Sequence, residues 1–159
     1  MILIAGPCSV ESPEQLHQVV DSLSPIPYSL FIRGGVWKPR TRPGGFEGRG
    51  EEALLWVEEL KREHPGLRFC TEVATPEHVE LCLCHGVDAL WIGSRTAGNP
   101  FSVSEICQAL KGCQLPVWVK NPMMPDLGLW LGAIERVQQA GITEVAAIHR
   151  GFTPYPNSS

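Results

Sequence analysis

The chain has 159 residues, a formal net charge of −4, and is 43% hydrophobic and 19% charged. That composition suits one domain with a sizeable core and excludes an intrinsically disordered chain. The acidic balance argues against nucleic-acid binding through overall charge, and no apolar run approaches the ~18 residues of a membrane span.

Taken in chain order, the pattern alternates short apolar runs with amphipathic stretches. Ile2–Ala5 reads as a strand, cut short by Gly6-Pro7 before any secretory h-region forms; a soluble cytoplasmic protein is the expectation. Ser12-Pro13-Glu14-Gln15 carries an N-cap, a proline at the first helical position and a capping-box glutamine. Leu16, Val19, Val20 and Leu23 follow at helical spacing. Tyr28–Arg33 reads as the second strand, Gly34 to Gly50 as a long loop, and Glu51–Glu63 as a helix with Leu54, Leu55, Val57 and Leu60 on its apolar side. Arg68–Val73 is the third strand. Thr75-Pro76 opens a helix to about His85, with Gly86 as its C′ residue. Ala89–Ile92 is the fourth strand, Asn99-Pro100 opens a helix through Leu110, and Val117–Lys120 is the fifth strand. A helix from about Leu127 to Ala140 ends at Gly141, and Glu144–Ile148 is the sixth strand. No element is expected from Gly151 on.

Six strands alternating with five helices predict an α/β protein with a parallel sheet. The runs LFI, ALWI, VWV and VAAI read as strands buried on both faces. No G-x-G-x-x-G opens a helix, so a dinucleotide site has no support. The repeat of roughly 25–30 residues suits a (β/α)8 barrel, which needs eight units. The expectation is one barrel domain over residues 1–159, an incomplete (β/α)8 TIM barrel with about six of eight strands, cut off where a sixth helix should begin. The six cysteines show no C-x-x-C spacing and are expected to stay reduced.

The cations fall at strand ends. Arg33 closes the second strand with Lys38 and Arg40 just beyond, Arg95 follows the fourth, and Lys120 and Arg150 end the fifth and sixth. In a parallel barrel these ends share the face that carries the active site. Six cations gathered there in an acidic protein call for a small polyanion bearing phosphates and carboxylates. The alternative is a set of solvated loop charges. Cys8, after the first strand, is either a thiolate ligand for a divalent metal or a small packed residue. Glu72 either orients a cation or water, or pairs with a nearby arginine. His149 is more often a packed residue than a base, and His17, His64, His78 and His85 receive no role. Trp91 and Trp118 read as core.

The wording of the chain then becomes specific. Ala5-Gly6-Pro7-Cys8-Ser9-Val10-Glu11-Ser12 resembles the opening motif of the class I synthases of 3-deoxy-D-arabino-heptulosonate 7-phosphate (DAHP). Arg33-Gly34-Gly35-Val36-Trp37-Lys38-Pro39-Arg40-Thr41 resembles the family's K-P-R-T motif. Thr71-Glu72-Val73, Ile92-Gly93-Ser94-Arg95, Val119-Lys120-Asn121 and His149-Arg150-Gly151 resemble later segments in the right order. The octulosonate-phosphate synthases, built on the same barrel, resemble K-A-N-R-S instead and are the alternative within enzymes; a non-catalytic anion-binding remnant is the alternative outside them.

The resemblance implies a transferase of the shikimate pathway that condenses phosphoenolpyruvate and erythrose 4-phosphate. Arg33, Lys38, Arg95, Lys120 and Arg150 would bind phosphoenolpyruvate, with Glu72 beside them. Arg40 and Thr41 would hold erythrose 4-phosphate, Lys38 would move the proton, and Cys8 would be one ligand of a divalent ion (Mn, Fe, Co or Zn). The family's other ligands, a His in a D-P-S-H-type motif, a Glu and an Asp, do not occur before Ser159, so the chain by itself is expected to be inactive. A homo-oligomer and a fused chorismate mutase domain in the full-length protein are also within what the resemblance implies, without nucleic acid or membrane as partner.

Overall fold

A computed structural model describes residues 1–26, 29–37, 43–44 and 47–151. The expectations for Tyr28, Lys38, Arg40 and Thr41, and for everything after Gly151, lie outside the described residues. Strands β1 (Ile2–Ala5), β2 (Ser29–Arg33), β3 (Arg68–Val73), β4 (Ala89–Ile92), β5 (Val117–Lys120) and β6 (Val145–Ile148) follow one another in sheet order. Helices α1 (Pro13–Leu23), α2 (Glu51–Glu63), α3 (Pro76–Cys84), α4 (Ser94–Ala97), α5 (Pro100–Leu110) and α6 (Leu127–Gln139) connect them. This is the α/β architecture of an incomplete (β/α)8 barrel, with six of its eight strand units present among the described residues.

Two compact units make up the chain: Met1–Glu72 with Leu81–Ala89, and Val73–Glu80 with Leu90–Ser159. In the first, β1 pairs in parallel with β2, and β2 with β3. Phe31, Ile32, Phe69 and Cys70 of the strands, Leu16 and Val20 of α1, and Ala53, Leu54, Val57 and Leu60 of α2 are buried. The Ser12 hydroxyl caps α1 by accepting from the Gln15 N–H at 3.1 Å. Asp88 ties the base of β3 to α2: its carboxylate accepts from the Phe69 N–H at 2.8 Å and from Lys61 Nζ at 2.6 Å.

In the second unit β4, β5 and β6 pair in parallel. Every residue of β4 is buried, as are Val117, Trp118 and Val119 of β5. Asn99 caps α5 by accepting from the Phe101 and Ser102 N–H groups, and Asp126 caps α6 by accepting from Leu129. His78 Nδ1 accepts from the Ala74 N–H at 3.1 Å, and burial holds the imidazole below its ordinary titration range.

Several expectations need correction. The sixth strand starts at Val145; Glu144 takes part only through its carbonyl, which accepts from the Val117 N–H at 3.0 Å. VAAI is not buried on both faces: Ala146 and Ala147 are exposed, because β6 is a terminal strand of the sheet order and, among the described residues, is paired only to β5. Leu55 is 52% exposed, and Ala53 takes its place on the packed stripe of α2. The helical turn α4 was not anticipated; four residues are too few for a periodic signal.

His85 carries a pH-sensitive bridge in the first unit. Its Nδ1 lies 2.7 Å from Glu58 and its Nε2 3.0 Å from Glu51. The hydrogen bond to Glu51, helped by Glu58 against the cost of burial, pushes the imidazole above its ordinary range. A raised value in the fold means the stabilisation is complete below the unfolded value of about 6.5 and disappears as pH rises through the folded value. The urea midpoint of the wild type minus that of His85→Gln should therefore shrink from pH 5.5 to pH 8.5 (about pH 6.5 being the reference). A difference independent of pH would show that the bridge is not ionic.

Candidate functional site

In the first unit, Cys8, Arg33 and Glu72 lie just after β1, at the end of β2 and near the end of β3, all at strand C-terminal ends. The parallel pairing of β1 with β2 continues past the strands into the loop that bears Cys8. Gly35 N–H donates to the Cys8 carbonyl at 3.2 Å, Val10 N–H donates to the Gly35 carbonyl at 2.9 Å, and Ser9 bridges to Gly35. Gln15 ties the same loop to α1, accepting from the Glu11 N–H at 2.8 Å and donating to the Ser9 carbonyl at 3.1 Å. Val10 is fully buried and fills the space where a Cβ on Gly34 would stand. The two glycine-containing motifs are therefore held together by backbone, and Cys8 is left exposed at their junction.

Cys8 belongs to no group of three His, Cys, Asp or Glu ligand atoms among the described residues. The residues outside that description contain none of these four types. A catalytic divalent ion at Cys8 with three or more protein ligands therefore cannot be completed from this chain's residues alone. The other thiols of the first unit's core are unsuited to binding one: burial pushes both Cys70 and Cys82 up to about 12.

In the second unit Arg95, Lys120 and Arg150 follow or end three adjacent parallel strands. Arg95 and Arg150 are exposed and Lys120 is half-buried, its Nζ 5.2 Å from the Trp91 ring centroid. The indole face offsets part of the cost of holding a partly desolvated ammonium there. Asn121, fully buried, organises the end of β6. Its Oδ1 accepts from the Arg150 N–H at 2.7 Å, and its Nδ2 donates to the carbonyls of Gly151 at 2.8 Å and Pro122 at 3.1 Å. Gly151, at φ +86°, follows in the left-handed region. His149 is exposed and its ring lies 6.3 Å from that of Trp130, which itself donates to the Val119 carbonyl.

Asn121 is the site residue that inspection of charges missed. The signal was its place directly after a strand-ending lysine, since an amide there can satisfy backbone groups of the neighbouring strand end. The hydroxyls of Ser9 and Ser94, also just past strand C-termini, are buried without a hydrogen-bond partner among the described residues. A cavity of about 470 Å³ in the first unit lies at the opposite strand ends, beside Ser29, Leu67 and Arg68.

Comparison with known proteins agrees with this arrangement. The family model described as the DAHP synthetase I family matches residues 1–159. A phospho-2-dehydro-3-deoxyheptonate aldolase of Thermotoga maritima is 30% identical over 157 residues, covering 99% of this chain and 44% of the relative. A crystal structure of phospho-2-dehydro-3-deoxyheptonate aldolase (DAHP synthase) from Thermotoga maritima superposes with a TM-score of 0.79 at 28% identity, over 99% of this chain and 43% of that one. A truncated form of 3-deoxy-D-arabino-heptulosonate 7-phosphate synthase from the same organism gives 0.75 at 27% identity, over 99% and 54%. The chain thus spans less than half the length of the curated relative it matches. With the motifs, the strand order and the matched span in agreement, the chain belongs to the DAHP synthetase I family.

Proposed function

We propose that this chain supplies the phosphoenolpyruvate-binding part of a 3-deoxy-7-phosphoheptulonate synthase, which joins phosphoenolpyruvate, erythrose 4-phosphate and water into DAHP and phosphate. What supports this most directly is the row of Arg95, Lys120 and Arg150 at the ends of three adjacent parallel strands, in a protein of net charge −4. Arginine offers planar bidentate contacts to phosphate or carboxylate, and lysine a point charge. Arg33 and Glu72 would contribute to the same substrate, Arg40 and Thr41 to the sugar phosphate, and Lys38 would carry the proton. Both phosphates and the carboxylate crowd negative charge as the enol carbon attacks the aldehyde. Fixed cations oppose that charge without reorganising.

The family's chemistry calls for a divalent ion, of manganese, iron, cobalt or zinc, which polarises the aldehyde when bound. Cys8 would be this chain's one ligand, and the others would come from outside residues 1–159. A single barrel domain, a cytoplasmic setting in keeping with six thiols, homo-oligomerisation and a fused chorismate mutase segment belong to the same proposal.

Calorimetric titration with phosphoenolpyruvate tests it. Arg95→Ala, Lys120→Ala and Arg150→Ala should each weaken binding roughly tenfold to a hundredfold, the cost of one charge-assisted contact. Lys111→Ala, at the far end of α5, should leave affinity unchanged. With erythrose 4-phosphate and Mn2+ added, the chain should bind phosphoenolpyruvate without consuming it. Equal losses in all four variants, or no binding by the wild type, would overturn the assignment.

A further inference from the structure

We infer that His17, Glu63 and His64 form a transition-metal site on the helical face of the first unit, of the kind that takes Zn2+. One ligand atom from each residue can be chosen so that all three lie within 4.8 Å of one another. His17 Nδ1 and Glu63 Oε2 are already 3.6 Å apart. Two imidazoles and a carboxylate are a borderline-soft N/O set with the composition of three-ligand zinc sites, in which water completes the tetrahedron.

The backbone explains how neighbouring residues come to serve one ion. Glu63 is the last residue of α2, and side chains of consecutive helical residues diverge by about 100°. His64 has left the helix, with φ −124° and ψ 78°, so its ring is not bound to that divergence. Its N–H still donates to the Leu60 carbonyl at 3.0 Å, and its carbonyl accepts from Leu67 at 3.0 Å, so the departure from the helix is a fixed one. His17 comes from α1, which packs on α2. The neighbouring Arg62 leans back one turn to Glu58 at 3.5 Å, its charge engaged there.

The His17 and Glu63 side chains are 44% and 49% exposed, so both have room to rotate and water can reach the ion. A tetrahedral ion with bonds near 2.0–2.1 Å needs its ligands about 3.4 Å apart, a closure of roughly an ångström by side-chain rotation alone. The residues differ from Cys8 and are two helices' worth of surface, so the consequence is a metal clip between α1 and α2 that stabilises the first unit by mass action.

The test is titration of the chain with Co2+ and Zn2+, alongside a Cys8→Ser/Cys84→Ser variant lacking both exposed thiols. We expect one ion per chain, a visible ligand-field band with Co2+, and a melting temperature that rises with Zn2+, all retained in the double-serine variant. His17→Gln and His64→Gln should each weaken Zn2+ binding at least about tenfold. Glu63→Gln, the change least able to disturb folding, should weaken it in the same direction while leaving circular dichroism unaltered. Loss of the band in the double-serine variant, retention in His17→Gln, or absence of binding in the wild type would each overturn the site. Phosphoenolpyruvate affinity should not move in any of these histidine variants, so failure here and failure of the proposed function are separable.

Discussion

Asn121→Leu is expected to destabilise the chain by about 2–4 kcal/mol and to weaken phosphoenolpyruvate binding at least about tenfold. The side chain is fully buried and makes three hydrogen bonds, to the Arg150 N–H and to the Gly151 and Pro122 carbonyls. Leucine keeps the branched heavy-atom skeleton but is larger, so no cavity forms and overpacking of the fully buried position adds to the cost. The rest of the loss comes from backbone groups left without partners, at about 1 kcal/mol or more each. Two of the three belong to the segment carrying Arg150, so its guanidinium would no longer start from a fixed backbone. Asn121 is thus a positioning residue, and two readouts separate its roles. A lower urea midpoint with unchanged affinity would make it structural only. Asn121→Asp keeps an acceptor for the Arg150 N–H and loses both donors. It should fall between wild type and leucine in affinity if holding Arg150 is what matters.

Most of the architecture was readable because its signals are local. Serine and proline at positions 12 and 13 fix the start of α1, and Gly86 and Gly141, both at positive φ, mark where α3 and α6 stop. ALWI and VWV are buried runs without alternation and turned out as central strands. VAAI looks the same on paper, yet its alanines are exposed, because burial depends on what lies beside a strand and not on its own residues. Leu55 misled for a related reason. A run of Ala, Leu and Leu admits two neighbouring stripes on a helix, and only packing chooses between them.

The candidate site was legible where charge and chain position coincide. Arg33, Arg95, Lys120 and Arg150 follow directly from finding the strand ends. What escaped were relationships across the sequence. Asn121 acts on backbone groups 29 and 30 residues away, and no property of those residue types announces it. His17 and Glu63 meet because α1 packs on α2, so neither helix taken alone suggests a ligand.

Gly6→Ala should be among the most disruptive single substitutions in the chain, lowering stability by more than about 3 kcal/mol. A Cβ built on Gly6 would stand 2.0 Å from the Arg33 carbonyl oxygen, and φ is +153°, where L side chains are rarely found. The obstacle is backbone at the end of a parallel ladder running from Ile2–Ser29 to Ala5–Ile32, so it cannot swing aside as a side chain would. Relief requires parting β1 from β2, which moves both the Cys8 loop and Arg33. Gly66→Ala is the matched control. It lies in the same unit at φ +90° with nothing within 4 Å, so only the conformational penalty of about 1–2 kcal/mol applies. Urea midpoints of the two variants isolate the steric part. Equal losses would mean that the approach of Gly6 to Arg33 is looser than drawn, and that the shared backbone frame of the two motifs does not hold the candidate site together.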